Sequence, residues 1–240
     1  MSTHCNEFCQ PIGEPVPGWV PAPRPDATTL RGRHCTLELL DVDRHADSLY
    51  AAYASASDDR DWTYLSSGPF PSAESYRGWA ATAAKSADPR HYAVVDNVTG
   101  RAAGTLALLR HDLVNGVIEV GWVQFSPLLQ RSSMATEAHF LLMRHIFDDL
   151  GYRRYEWKCD SLNQRSRRAA ERLGFVYEGT FRNAVVYKGR SRDTAWFAIT
   201  DTDWPHTKRT FEAWLDPANF DADGVQRRPL QAFRISPGDS

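Results

Sequence analysis

The chain has 240 residues, 42% of them hydrophobic, with 28 basic against 30 acidic side chains and a formal net charge of −2. That length supports one full core without demanding a second domain, and the near-neutral balance gives no electrostatic case for a nucleic-acid or membrane-surface partner. No apolar run is long enough to cross a bilayer, and the polar Met1–Gln10 lacks the apolar centre of a signal peptide, so a soluble, cytoplasmic protein is expected.

Residues 1–30 form a proline-rich extension (Pro11, Pro15, Pro17, Pro21, Pro23, Pro25). Proline fixes φ and removes a donor, so this stretch reads as extended chain, loose or wrapped over the surface. From Arg31 the texture changes. Thr36–Leu40 suits a strand, Asp41 or Asp43 can cap a helix through Ala46, Leu49, Tyr50 and Tyr53, and Gly68-Pro69-Phe70-Pro71 forces a turn. Ser72 and Ser75 are helix-start candidates for a helix over Tyr76–Ala87. His91–Asp96 and Gly104–Leu109 read as a hairpin around Asn97–Gly100, and Val117–Phe125 as a third antiparallel strand. A long helix over Ala135–Leu150 ends at Gly151. A strand over Tyr152–Asp160 carries Tyr155, Trp157 and Cys159 on one face and Glu156, Lys158 and Asp160 on the other. A basic helix over Gln164–Leu173 is closed by Gly174, and strands at Val176–Tyr187 and Arg192–Thr200 complete a domain spanning 31–204. Residues 205–240 form an appendage whose Phe211, Trp214, Phe220 and Phe233 imply that it packs on the domain. This order is that of an α+β (mixed α/β) fold with helices over a sheet. The four cysteines, Cys5, Cys9, Cys35 and Cys159, match no zinc spacing, so neither a metal site nor a disulfide framework is expected, and Cys159 reads as core.

The chemistry concentrates between Val117 and Phe175. Ser126–Met134 is a loop feeding a helix N-terminus, where free backbone N–H groups make a natural anion cradle. The segment Gln130-Arg131-Ser132-Ser133-Met134-Ala135 approximates Q/R-x-x-G-x-G/A. Glu119-Val120-Gly121 precedes it, and Asn163-Gln164-Arg165-Ser166 and Leu173-Gly174-Phe175-Val176-Tyr177-Glu178-Gly179 follow. On these motifs, roughly over Leu37–Trp204, the chain resembles the GNAT superfamily of N-acetyltransferases and, within it, the RimJ/RimL-like branch. Ser133 stands where that family has glycine. Because the cradle needs close approach and permissive dihedrals, weaker cofactor binding is an expectation.

The resemblance implies a twisted, mostly antiparallel central sheet flanked by helices, and acetyl-CoA as co-substrate with no metal. It implies transfer of acetyl to a primary amine by direct attack, the acceptor being a small molecule, an aminoacyl compound or a protein N-terminus, in a monomer or homodimer. It also places the cofactor. Backbone N–H groups of Arg131, Ser132, Ser133, Met134 and Ala135 hold the pyrophosphate, assisted by the Arg131 side chain and Thr136 Oγ1, with Gln130 in the loop. Phe125 and Ser126 line the pantetheine arm, Asn163 bonds it, and Arg165, Arg167 and Arg168 reach towards the phosphates. Aminolysis of a thioester needs a neutral amine, a donor for the oxyanion and a proton for the thiolate. Glu119, an acid sharing a strand face with Val117, Gly121 and Val123, is the candidate base or else a structural hydrogen-bonder. Ser166 is the candidate group facing the sulfur. Trp62, Tyr64, Trp79, Trp122 and Tyr187 are either an acceptor-side aromatic wall or core, and Asp58, Asp59 and Asp61 either attract a cationic amine or form a solvated loop. The early Trp and Tyr residues favour a compact small-molecule acceptor over an extended peptide. The alternative reading is a catalytically inactive acyl-CoA-binding regulatory or structural protein.

Overall fold

A computed structural model describes residues 4–234. The leader residues 1–3 and the appendage residues 235–240 lie outside the described residues. A short exposed hairpin, β1 (His4–Cys5) and β2 (Pro11–Ile12), opens the chain. The body is an eight-stranded sheet. Its members in chain order are β3 (Thr29–Arg31), β4 (Cys35–Leu39), β5 (Arg90–Asp96), β6 (Ala102–Asp112), β7 (Val117–Phe125), β8 (Arg154–Asp160), β9 (Val176–Tyr187) and β10 (Arg190–Thr200). The spatial order is β3-β4-β5-β6-β7-β8-β10-β9, and every pairing is antiparallel except β7 with β8. The expected mostly antiparallel α+β sheet is therefore present. It starts two residues before the expected domain boundary, because Thr29 and Leu30 pair with Glu38 and Leu37.

Two cores form on opposite faces. Alternate residues of the strands, including Tyr92, Leu106, Leu108, Ile118, Tyr155 and Phe197, meet α3 (Ser133–Arg144), which contributes Leu141, Leu142 and Met143. On the other face α1 (Val42–Ala54) and α2 (Ala73–Ala84) cover Ala93, Val95 and Ala102 with Leu49, Tyr53, Tyr76 and Ala80. Local chemistry fixes these helices. Asp41, not Asp43, caps α1 through the Arg44 N–H, and Ser72 and Ser75 cap α2 reciprocally. α3 is shorter than expected, because a π-helical turn over His145–Asp149 replaces its last part before Gly151 at φ 67°. α4 (Gln164–Leu173) ends at Gly174 in the left-handed region, φ 101°. The leader wraps on the surface at least from Trp19, whose Nε1 donates to the Val114 carbonyl, and Tyr152 donates to the Pro23 carbonyl. α5 (Trp204–Leu215), read from sequence only as packed appendage, stacks Phe211 on Phe140 at 5.4 Å and ties Trp204 Nε1 to Asp148 at 2.6 Å. No helix among the described residues is long and apolar enough to cross a membrane.

Candidate active site

The site begins where a sheet stops. β7 and β8 are in register from Val117/Arg154 to Val120/Trp157 and no further. The rest of β7, Gly121–Phe125, runs on without its parallel partner. At the same point Trp122 takes φ 50°, and Trp122 and Val123 stand opposite the single residue Leu106 of β6. That bulge bends β7 away from β8. The opening is floored by His139 of α3, which lies between Phe125 (5.5 Å) and Trp157 (5.3 Å). His139 is buried with Nδ1 unpartnered, and burial holds it neutral, its pKa pushed down to about 3. The Ser126 hydroxyl, beside Phe125, is also buried without a partner among the described residues. Such an orphan is costly to leave unmade.

The chain leaving β7 makes the cradle. Leu129 and Gln130 donate backbone N–H groups to the Ser126 carbonyl, and Ser132 to the Leu129 carbonyl. Ser132 caps α3, its Oγ accepting from the Ala135 N–H at 3.2 Å. The N–H groups of Ser132 and Ala135 are therefore spent. Those of Arg131, Ser133 and Met134 have no partner among the described residues, and they sit at a helix N-terminus where the dipole favours an anion. The residue in the left-handed region is Arg131, φ 61°. Ser133 is the first helical residue of α3. The dihedral part of the case for glycine at position 133 therefore falls away, since a helical residue needs no conformational freedom.

Three of the expected cofactor residues are engaged elsewhere. Gln130 Nε2 donates to Asp61 Oδ2 at 2.7 Å and to the Phe125 carbonyl at 2.8 Å, and Arg165 Nη1 pairs with Asp61 Oδ1 at 2.7 Å. Asp61 is thus neither a solvated charge nor a free attractor for amines. It braces the early loop against the cradle and α4, while Asp58 is paired to Arg60. Thr136 is buried, and its Oγ1 accepts from both Arg172 Nη1 and Nη2 at 3.1 Å, so it joins α3 to α4 instead of facing the loop. Arg168 is exposed. Arg167 lies over the Tyr177 ring at 5.2 Å.

On the β8 side, Asn163 caps α4, its Oδ1 accepting from the Ser166 N–H at 3.1 Å, and its amide donors have no partner among the described residues. Ser166 Oγ accepts from Trp157 Nε1 at 3.0 Å, and its O–H is within reach of the Cys159 sulfur.

Glu119 is the third residue of the paired part of β7, with 6% of its surface exposed. Its Oε2 is 3.0 Å from Lys158 Nζ and 3.1 Å from Arg110 Nε. Neither approach has hydrogen-bond alignment, so these contacts are ion pairs. Burial pushes its carboxyl pKa above the ordinary value, against the opposing pull of Lys158 and Arg110. Lys158 in turn reaches Glu156 Oε2 at 2.7 Å and lies 3.8 Å from the centre of the Trp196 ring. The strand alternation places Glu156 and Lys158 on one face, but it does not disclose that they are buried against Glu119.

Of the five aromatic residues read as acceptor wall or core, Trp62 and Tyr187 are buried and Tyr64, Trp79 and Trp122 are half-buried. Trp62 is buried edge-on against Tyr53 and Phe70, and the buried Tyr187 donates to Asp160 at 2.9 Å. Tyr64 donates to the Leu162 carbonyl at 3.4 Å. Trp122, half-buried, borders a narrow cleft with Trp79 and Trp62. The β9–β10 turn closes over this region, Lys188 Nζ donating to the Trp62 and Gly68 carbonyls and Arg190 to that of Thr63.

Residues 35–176 match the acetyltransferase (GNAT) domain model. The chain belongs to the GNAT acetyltransferase family. Among solved structures, a GNAT protein from Brucella melitensis is 46% identical, covers 91% of this chain and 99% of its own, and superposes with a TM-score of 0.89. A GNAT-family protein from Chromobacterium violaceum is 39% identical over 82% of this chain and 98% of its own, with a TM-score of 0.75. A Bacillus subtilis protein named "Putative ribosomal N-acetyltransferase YdaF" is 26% identical over 110 residues, which are 45% of this chain. The match spans 59% of that protein's length.

Proposed function

We propose that the protein transfers acetyl from acetyl-CoA to a primary amine by direct attack, and that it belongs to the RimJ/RimL-like branch. The observation that carries this reading is the parting of β7 from β8 directly ahead of three unspent N–H groups at the start of α3. The residues present suit the co-substrate. Arg131, Ser133 and Met134 offer backbone donors to a pyrophosphate, Ser126 offers a buried hydroxyl without a partner, and Asn163 offers a free amide to a pantetheine arm. When bound, acetyl-CoA supplies the activated thioester. The chain's own groups do the rest. Glu119 takes the amine proton, directly or through water, and the Ser166 O–H donates a hydrogen bond to the sulfur.

Trp62 and Tyr187 are buried, so the aromatic case for a compact acceptor rests on Trp79 and Trp122 at the cleft, whereas the name of the B. subtilis relative, "Putative ribosomal N-acetyltransferase", supports a protein amine as the acceptor class. The test is an acceptor panel of small amines, aminoacyl nucleotides and N-terminal peptides incubated with acetyl-CoA and read by mass spectrometry. The expected result is a product carrying one added acetyl group on peptide N-termini. Acetyl-CoA binding without turnover on any class would instead support the inactive acyl-CoA-binding alternative.

A further inference from the structure

Glu119 has two oxygens in different situations. Oε2 is drawn to Lys158 and Arg110. Oε1 faces Gly121, where a Cβ would stand 3.5 Å from it. Gly121 is the first residue of β7 beyond the last paired position, Val120. One oxygen is thus anchored, and the other is turned along the strand to the mouth of the opening. The anchor belongs to an alternating row of charges: Arg110, Glu119, Lys158, Glu156, Arg154, Glu178. Arg154 Nε pairs with Glu156 at 2.7 Å and its Nη1 with Glu178 at 2.8 Å. The Lys158 side chain is 6% exposed, and the Trp196 face covers it from β10. A cation so placed cannot leave without exposing two buried carboxylates to each other.

We infer that Lys158 is a positioning residue for acetyl transfer: shared between Glu119 and Glu156, its ammonium holds Glu119 as a carboxylate with Oε1 aimed at the opening. The inference rests on the reading of Glu119 as the base. The charged groups facing Glu119 are Arg110 from β6 and Lys158 and Glu156 from β8, with Arg154 and Glu178 beyond them. Asp160, next along the Lys158 face, is bonded to Tyr187. The signs are opposed. Removing the Lys158 charge disfavours the Glu119 carboxylate. Removing the Glu156 charge favours it twice, by deleting a like charge and by releasing Lys158 wholly to Glu119.

The test is a titration of the Glu119 carboxyl by carbon-13 NMR, assigned with Glu119→Gln, in the wild type, Lys158→Met, Lys158→Arg and Glu156→Gln. Lys158→Met should raise the midpoint by about 1–3 pH units, the usual effect of losing one close opposite charge. Lys158→Arg should restore it, and Glu156→Gln should lower it. An unmoved midpoint in Lys158→Met overturns the inference. Should that variant fail to fold, Glu156→Gln decides: a lowered midpoint supports the inference and an unmoved one overturns it. The acidic limb of kcat/KM, measured with whichever amine the panel selects, should follow the midpoint, with the rate below it falling about tenfold per pH unit. A midpoint that moves while the limb stays removes Glu119 from the role of base and leaves the Lys158 pairing intact.

Discussion

Glu137 offers the sharpest test of how the site is held in place. It lies in the second turn of α3, 4% exposed, and accepts three backbone N–H groups from the β3–β4 connection: Arg33 at 2.8 Å on Oε1, and His34 at 2.7 Å and Cys35 at 2.8 Å on Oε2. Gly32 leaves the room, since a Cβ there would stand 2.5 Å from the Glu137 carboxylate. The clamp therefore joins the outer strands to the helix whose N-terminus forms the cradle. Glu137→Gln keeps one acceptor oxygen and turns an NH₂ towards the remaining donor or donors. An orphaned buried donor costs about 1–3 kcal/mol, and charge-assisted bonds are reduced to neutral ones, so a loss of about 2–4 kcal/mol is expected. For a chain of this size that lowers the melting temperature by roughly 4–16 °C. Gly32→Ala should cost a similar amount by displacing the same carboxylate, and its effect should shrink in a Glu137→Ala background. Urea denaturation of the three variants is the assay. A loss for Glu137→Gln within the roughly 0.5 kcal/mol of an ordinary surface change refutes the argument.

Three further outcomes are expected. Ser133→Gly should not tighten acetyl-CoA binding and should cost up to about 1 kcal/mol of stability, because position 133 is helical; a tenfold tightening by calorimetry would contradict this. Burial holds His91 near pKa 4 and His139 near 3, below the ordinary 6.5, so the unfolded chain takes up protons first. Stability should be flat in these groups above pH 6.5 and fall below it by about 1.4 kcal/mol per pH unit per histidine. His139→Phe should flatten that slope in urea midpoints measured between pH 7 and 5, and an unchanged slope would remove His139 from the account. Cys5 and Cys9 are exposed, whereas Cys35 and Cys159 are buried with their thiol pKa values pushed up by burial. A thiol reagent should therefore label the first pair in the native state and all four only after unfolding; native labelling of Cys35 would refute the packing of the β3–β4 connection.

The sheet was legible because its signals are local. Val117–Phe125, Gln164–Leu173 and Val176–Tyr187 are bounded by Asn115-Gly116, Asn163 and Gly174, and their periods are unambiguous. The cradle was legible as a motif, but which of its N–H groups are free was not, since that depends on the Ser132 cap and on Arg131 taking the left-handed conformation. The roles of Asp61, Glu137 and Lys158 were hidden for a common reason. Each acts on a partner far away in sequence, from 39 residues for Lys158 and Glu119 to 104 for the Glu137–Arg33 and Asp61–Arg165 bonds, and no local pattern encodes such pairings. The sequence assigned Glu156, Lys158 and Asp160 to one face of their strand without indicating what covers it. They are buried by mutual pairing and by Trp196 and Tyr187.

The central claim is that acetyl-CoA binds in the opening between β7 and β8 with its pyrophosphate on the start of α3. Amide chemical shifts followed during an acetyl-CoA titration test it most directly. The account predicts the largest shifts at Arg131, Ser133 and Met134, with smaller ones at Ser126 and the Asn163 side chain. Saturable binding that leaves those three amides unmoved, or no binding at millimolar acetyl-CoA, would contradict it.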